Sequence, residues 1–127
     1  MLRPATLDDL AQLFQWRNDP EFVALSHTKR TVLEQEHREW FDHYQRRIWM
    51  ITYEGVACGV VWMNHYSQLA ISIDSAYRNR GIGTAAIREF QHLHPYRLLA
   101  HMKPGNEPSR RLFAKAGFQV TCMEWSP

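Results

Sequence analysis

The sequence has 127 residues, 45% of them hydrophobic and 22% charged, with a net charge of +2. That length fits one domain over residues 1–127, and the apolar content excludes a disordered chain. The small cationic excess, scattered in short groups, argues against a nucleic-acid partner.

In chain order, Leu2 to Ala5 reads as a short first strand, and Pro4 places it at a sheet edge because proline cannot donate to a ladder. Thr6 with Asp9 resembles a capping box, followed by Leu7, Leu10, Leu13, Phe14 and Trp16 at helical spacing. Asn18-Asp19-Pro20 ends that helix, and residues 19–30 form a loop with a helical turn. Thr31 and Glu34 make a second capping box before a helix with Val32, Leu33, His37, Trp40, Phe41 and Tyr44 along one side. Ile48 to Tyr53 and Val56 to Met63 are strands joined at Glu54-Gly55, and Leu69 to Ile73 is the third strand of the meander. A loop from Asp74 to Arg80 enters a helix over residues 82–93, closed by Pro95. A short strand from Arg97 to Met102 comes next, then a helix from Pro108 to Ala116 with Gly117 as its C-terminal cap, and a last strand from Phe118 to Trp125. The order β-α-α-β-β-β-α-β-α-β predicts an α/β (α+β) fold, a mixed sheet with helices on its faces.

No apolar run reaches the roughly 18 residues that span a bilayer, and the N-terminus lacks the apolar core of a secretory signal. Cys58 and Cys122 lie in apolar stretches and read as reduced and buried. The expected setting is the cytoplasm, without a membrane partner. Seven histidines show no metal-binding spacing, so no metal is expected.

The chemistry concentrates in Arg78-Asn79-Arg80-Gly81-Ile82-Gly83-Thr84-Ala85, between a strand and a helix. Two glycines allow close backbone approach, the helix start offers free N–H groups and half a positive charge, and Arg78 and Arg80 add full charges. A pyrophosphate suits such a site. A Walker sequence is absent, and the third glycine of the dinucleotide fingerprint is missing.

Arg-x-x-Gly-x-Gly after a meander strand, followed by Asn106-Glu107-Pro108-Ser109-Arg110-Arg111-Leu112-Phe113-Ala114-Lys115-Ala116-Gly117-Phe118, resembles the GNAT acetyltransferase superfamily; Leu2-Arg3-Pro4-Ala5 with Asp8-Asp9-Leu10 matches its start. The resemblance implies six or seven mostly antiparallel strands, about four helices and a V-shaped splay between central strands. It implies acetyl-CoA as co-substrate, its pyrophosphate held by N–H groups of Arg80, Gly81, Ile82, Gly83 and Thr84. Its pantetheine arm would lie between the strand ending near Ile73 and Asn106. Phe113 stands where many members carry a tyrosine that protonates the leaving thiolate, and Ser109, one turn earlier, is the substitute candidate. The family glutamate base has no counterpart in Ser67-Gln68-Leu69-Ala70, leaving His65, His27, Glu36, His37 and Asp74. His65 is favoured because an imidazole titrates near neutral pH.

Trp16-Arg17-Asn18-Asp19-Pro20, with Glu36-His37 and Trp40-Phe41, is similar to acetyltransferases of the pseudaminic-acid and O-antigen type, which act on nucleotide-linked amino-deoxysugars. The acceptor would meet residues 19–30, including His27, Lys29 and Arg30, with Trp49 and Trp62 offering an aromatic surface. Ribosomal N-terminal or small-amine acetylation and a non-catalytic acyl-CoA-binding module are the alternatives. The curtailed C-terminal strand pair leaves an edge that a second copy would complete as a homodimer.

Overall fold

A computed structural model of the protein describes residues 1–25, 30–100 and 105–119. β1 (Leu2–Pro4) and a 3₁₀ turn (Leu7–Asp9) lead into α1 (Leu10–Arg17), α2 (Pro20–Leu25) and α3 (Glu34–Tyr44). The meander β2 (Ile48–Tyr53), β3 (Val56–Met63) and β4 (Gln68–Ile73) follows, then α4 (Ile82–Leu93), β5 (Leu99–Ala100) and α5 (Glu107–Lys115). The strands lie side by side in chain order; all neighbours are antiparallel except β4 and β5. Pro4 sits on the edge strand, as its missing N–H requires.

The described residues hold five strands and five α-helices, where six or seven strands and about four helices were expected. Phe118 and Gln119 are not in a strand, and the rest of the predicted last strand, with Cys122, lies outside the described residues. The additional helix is α2. Asp19 caps it by accepting from the N–H groups of Glu21 and Phe22 at 3.1 and 3.3 Å, while Pro20 suits its first position. α3 starts later than expected, at Glu34. Asn18 holds the backbone of Val32 through both amide atoms, at 2.7 and 3.0 Å, and Glu36 accepts from the N–H of the extended Leu33 at 3.1 Å. The cap is therefore Leu33 with Glu36, not Thr31 with Glu34.

Glu54 and Gly55 both take left-handed angles, φ 52° and 81°, the turn that matches strand twist in a two-residue hairpin. The register then slips between Ile51 and Thr52, with Cys58 as the extra residue of a bulge. Side chains alternate across the sheet into two cores. Ile51, Val61, Met63 and Leu69 pack with Ile82, Ile87, Phe90 and Phe113 beneath α4 and α5. Ile48, Met50 and Val60 pack with Leu13, Trp16 and Phe41 beneath α1 and α3. Cys58 is fully buried, and burial pushes its thiol pKa up. No described helix is long and apolar enough to cross a membrane.

Arg3 grips buried Asp9 with both guanidinium ends at 2.8 Å, and Asp9 also accepts from the Thr6 N–H at 2.9 Å. The Arg3 bond is the main cause holding the Asp9 carboxyl below its ordinary range. Because the folded carboxyl ionises more readily than the unfolded one, the stabilisation is complete above the unfolded value of about 3.9. It is lost as the pH falls through the lower folded value. Arg3→Met is expected to cost about 1 kcal/mol at neutral pH, discounted for the exposure of Arg3, and to move acid unfolding, followed by far-UV circular dichroism, to higher pH.

Candidate functional site

β4 delivers the chain to the site. The N–H of Asn64 donates to Gln68 O at 3.0 Å and that of Asp74 to Cys58 O at 2.8 Å, so even-numbered β4 residues bond toward β3. The odd-numbered ones face the other way. β5 meets β4 only at Gln68 and Leu69, so among the described residues the Ile71 backbone and the Ile73 N–H have no strand partner. Among the described residues, this stretch of β4 is where the expected splay would fall.

After β4 the chain turns through Ser75–Tyr77, and Gly81, at φ 76°, sets the start of α4. The first intrahelical bond runs from the Ala85 N–H to Gly81 O at 3.1 Å, leaving Ile82, Gly83 and Thr84 with free N–H groups at the positive end of the helix dipole. A Cβ on Gly81 would meet nothing within 4 Å, so the loop is bare on its outer side. A cavity of about 430 Å³ opens there, lined by Gly81, Thr84, Ala85, Arg88 and Lys115. Arg88 donates to the Lys115 carbonyl at 3.0 Å, fastening α4 to the end of α5.

The two glycines divide the work. Gly81 gives the loop its left-handed turn. Gly83 is buried, and a Cβ there would overlap Leu112 Cδ1, so its smallness serves helix packing and not ligand approach. Ile82 is buried too, so it can offer the site its backbone N–H and not its side chain. Arg80 is exposed over the Tyr77 ring at 5.4 Å. Arg78 is engaged elsewhere: its Nε donates to Ile73 O at 3.1 Å and its Nη1 pairs with Glu21.

The expected catalytic and acceptor residues do not form one cluster. Asp74 accepts from Trp16 Nε1 and from the Ala76 N–H, both at 3.0 Å. Glu36 is paired with Arg30 at 3.0 Å. His37 is 5% exposed, between Phe14 and Trp40 at 5.4 and 5.3 Å, and burial lowers its pKa. These three are held by the scaffold. His65 is exposed in the β3–β4 turn, its Nε2 3.1 Å from that of His43. It lies at the opposite end of β4 from Ile73, about 17 Å away or more by strand rise. His27 and Lys29 lie outside the described residues.

Trp49 and Trp62 do not share a surface, contrary to expectation. Trp49 packs on Phe90 and His94 at 5.1 and 5.0 Å under α4; Trp62 packs on Trp40 and Tyr44 at 5.2 and 5.0 Å under α3. Without the bulge at Cys58 the hairpin would pair Trp49 with Val60 and put both tryptophans on one face. The one-residue slip pairs Trp49 with Val61 and sends them to opposite faces.

At α5, Asn106 Oδ1 caps the helix by accepting from the Ser109 N–H at 3.3 Å. Ser109 is half-buried, and Lys115 lies about 9 Å further along the helix axis. Phe113 is buried against Phe118, ring centroids 5.0 Å apart, and belongs to the core. Arg88 and Lys115 were not anticipated as site residues. Arg88 was readable, seven residues after Gly81 and four after Thr84 on one helical face. Lys115 arrives only by the packing of α5 on α4. Among the described residues no group of three or more His, Cys, Asp or Glu could hold a metal ion.

The family model of the acetyltransferase (GNAT) domain matches residues 1–119. No curated protein gives a significant match. A domain from Methanocaldococcus jannaschii aligns at 20% identity over 95% of this chain and 88% of that one, with a TM-score of 0.82. Ribosomal-protein-alanine N-acetyltransferase from Brucella melitensis aligns at 21% identity over 94% and 84%, with a TM-score of 0.73. YncA from Salmonella typhimurium, solved with its cofactor acetyl-CoA, aligns at 19% identity over 96% and 80%, with a TM-score of 0.75. At these identities the likeness is one of fold. The family match spans nearly the whole described chain, and by it the protein belongs to the GNAT acetyltransferases, enzymes that use acetyl-CoA as co-substrate.

Proposed function

We propose that the protein transfers acetyl from acetyl-CoA to a primary amine by direct attack in a ternary complex. The observation that carries this is the free N-terminus of α4 opening into a cavity with two cations, beside β4 backbone that has no strand partner among the described residues. N–H groups of Ile82, Gly83 and Thr84 receive the diphosphate, with Arg88 and Lys115 supplying charge alongside it. Ile71 and the Ile73 N–H offer ladder partners to an extended arm, as an edge strand does.

Acetyl-CoA supplies the activated thioester carbon. A neutral amine nitrogen bonds to that carbon, the carbon–sulfur bond breaks, and one nitrogen-borne proton leaves as the thiolate takes one up. Of the described base candidates, His65 keeps its ring at the surface, where His43 shares a hydrogen bond with it. We assign the proton to this pair on the strength of that shared contact. Ser109 stays the candidate for the sulfur side; the buried Phe113 ring has no proton to give.

For the acceptor, the motif Trp16-Arg17-Asn18-Asp19-Pro20 supports a nucleotide-linked amino-deoxysugar. Trp16, Asn18 and Asp19 also hold Asp74, Val32 and α2, so part of that block serves the scaffold. A protein N-terminus is the second reading, favoured by the Brucella neighbour. A screen with a UDP-linked 4-amino sugar, a ribosomal-protein N-terminal peptide and spermidine, read by thiol release, decides between them. Release with the sugar supports the first reading; release with the peptide alone overturns it and leaves the cofactor reading standing. A homodimer through an exposed sheet edge and a cytoplasmic setting belong to the same proposal; sedimentation as a monomer at high concentration counts against the dimer.

A further inference from the structure

Two side-chain contacts join the helices after β1 to the turn that enters the site. Trp16 of α1 donates to Asp74, and Glu21 of α2 pairs with Arg78, whose Nε is in turn fixed on the last carbonyl of β4. The two joints differ in character. Trp16 is buried, and the second oxygen of Asp74 is taken by the Ala76 N–H, so that joint is rigid. The Glu21 and Arg78 side chains are 58% and 33% exposed, so their pair is weak enough to answer a nearby charge. α2 has only six residues, too few to hold helical form without outside contacts.

We propose that Glu21 is a positioning residue through which α2 senses whether the diphosphate loop is filled. This rests on the reading of residues 78–85 as the diphosphate site. Arg78 stands three residues before Gly81. A diphosphate at the start of α4 attracts the Arg78 guanidinium and repels the Glu21 carboxylate, so filling the loop weakens the pair and frees α2 to adjust. Linkage makes the effect reciprocal: while the pair holds α2 down, it opposes cofactor binding.

The test uses the whole protein with CoA as the probe. Calorimetry gives the CoA affinity, and hydrogen exchange follows the amides of residues 21–25 with and without CoA. In the wild type, CoA is expected to speed exchange in α2. In Glu21→Gln, exchange is expected to be fast already, with no further change on adding CoA, and CoA to bind about two- to five-fold tighter, the fold-change equivalent of a surface ion pair. Glu21→Asp, which keeps the charge, is expected to retain the CoA response. An unchanged CoA affinity in Glu21→Gln, or a CoA response of α2 that persists in it, overturns the proposal. A wild type that gives no heat with CoA sinks the diphosphate reading itself, a result distinct from either.

Discussion

Gly81→Asp is expected to weaken CoA binding about 100-fold while the fold stays intact. Aspartate tolerates left-handed angles better than most residues, and a Cβ at this position meets open space, so the backbone at φ 76° persists. The new carboxylate stands against the seat of a diphosphate. Two like charges about 5 Å apart at an effective dielectric of about 20 repel by about 3 kcal/mol, which is roughly two orders of magnitude in affinity. Gly81→Asn has nearly the same shape without the charge and should keep most of the binding. Calorimetry on the two variants separates charge from shape; equal affinities would remove the diphosphate from this loop.

Gly59→Ala is expected to destabilise the protein by about 2–3 kcal/mol, the upper part of the range for overpacking. Gly59 faces Ile73 across β3 and β4, where a Cβ would lie 2.5 Å from Ser72 O and 2.9 Å from Ile73 Cδ1. The first of these is backbone, which cannot rotate aside, so the strands must separate just ahead of the cofactor loop. A lower urea midpoint with an unchanged slope would show the cost as stability. A loss below about 0.5 kcal/mol would show that the strands yield freely. Gly83 differs, because its obstacle is the end of a leucine side chain.

Much of this arrangement was legible in the chain. Helical spacing marked α1, α3 and α4, Glu54-Gly55 marked the hairpin, and Gly117 marked the end of α5. There the N–H of Phe118 returns to Phe113 O at 2.9 Å and that of Gly117 to Ala114 O at 3.1 Å. What local pattern left hidden depends on distant partners. Asn18-Asp19-Pro20 reads as a helix stop, yet Asp19 also starts the next helix, and Asn18 displaces the cap of α3 from 14 residues away. Arg78 looked available to a ligand because Glu21, 57 positions earlier, is invisible to local reading. The bulge at Cys58 has no clear marker either, and it decides which face each tryptophan occupies.

The sheet works as a partition wall. Residues that meet α4 and α5 and residues that meet α1 and α3 occupy alternate positions on the same strands, in two separate clusters. Substitutions on opposite sides of such a wall combine almost additively when they share no partner. Trp62 and Tyr44 can therefore be exchanged without repacking the chamber around Phe90 and Phe113. A lineage built on this plan is free to rework one side of the wall while leaving the other as it was.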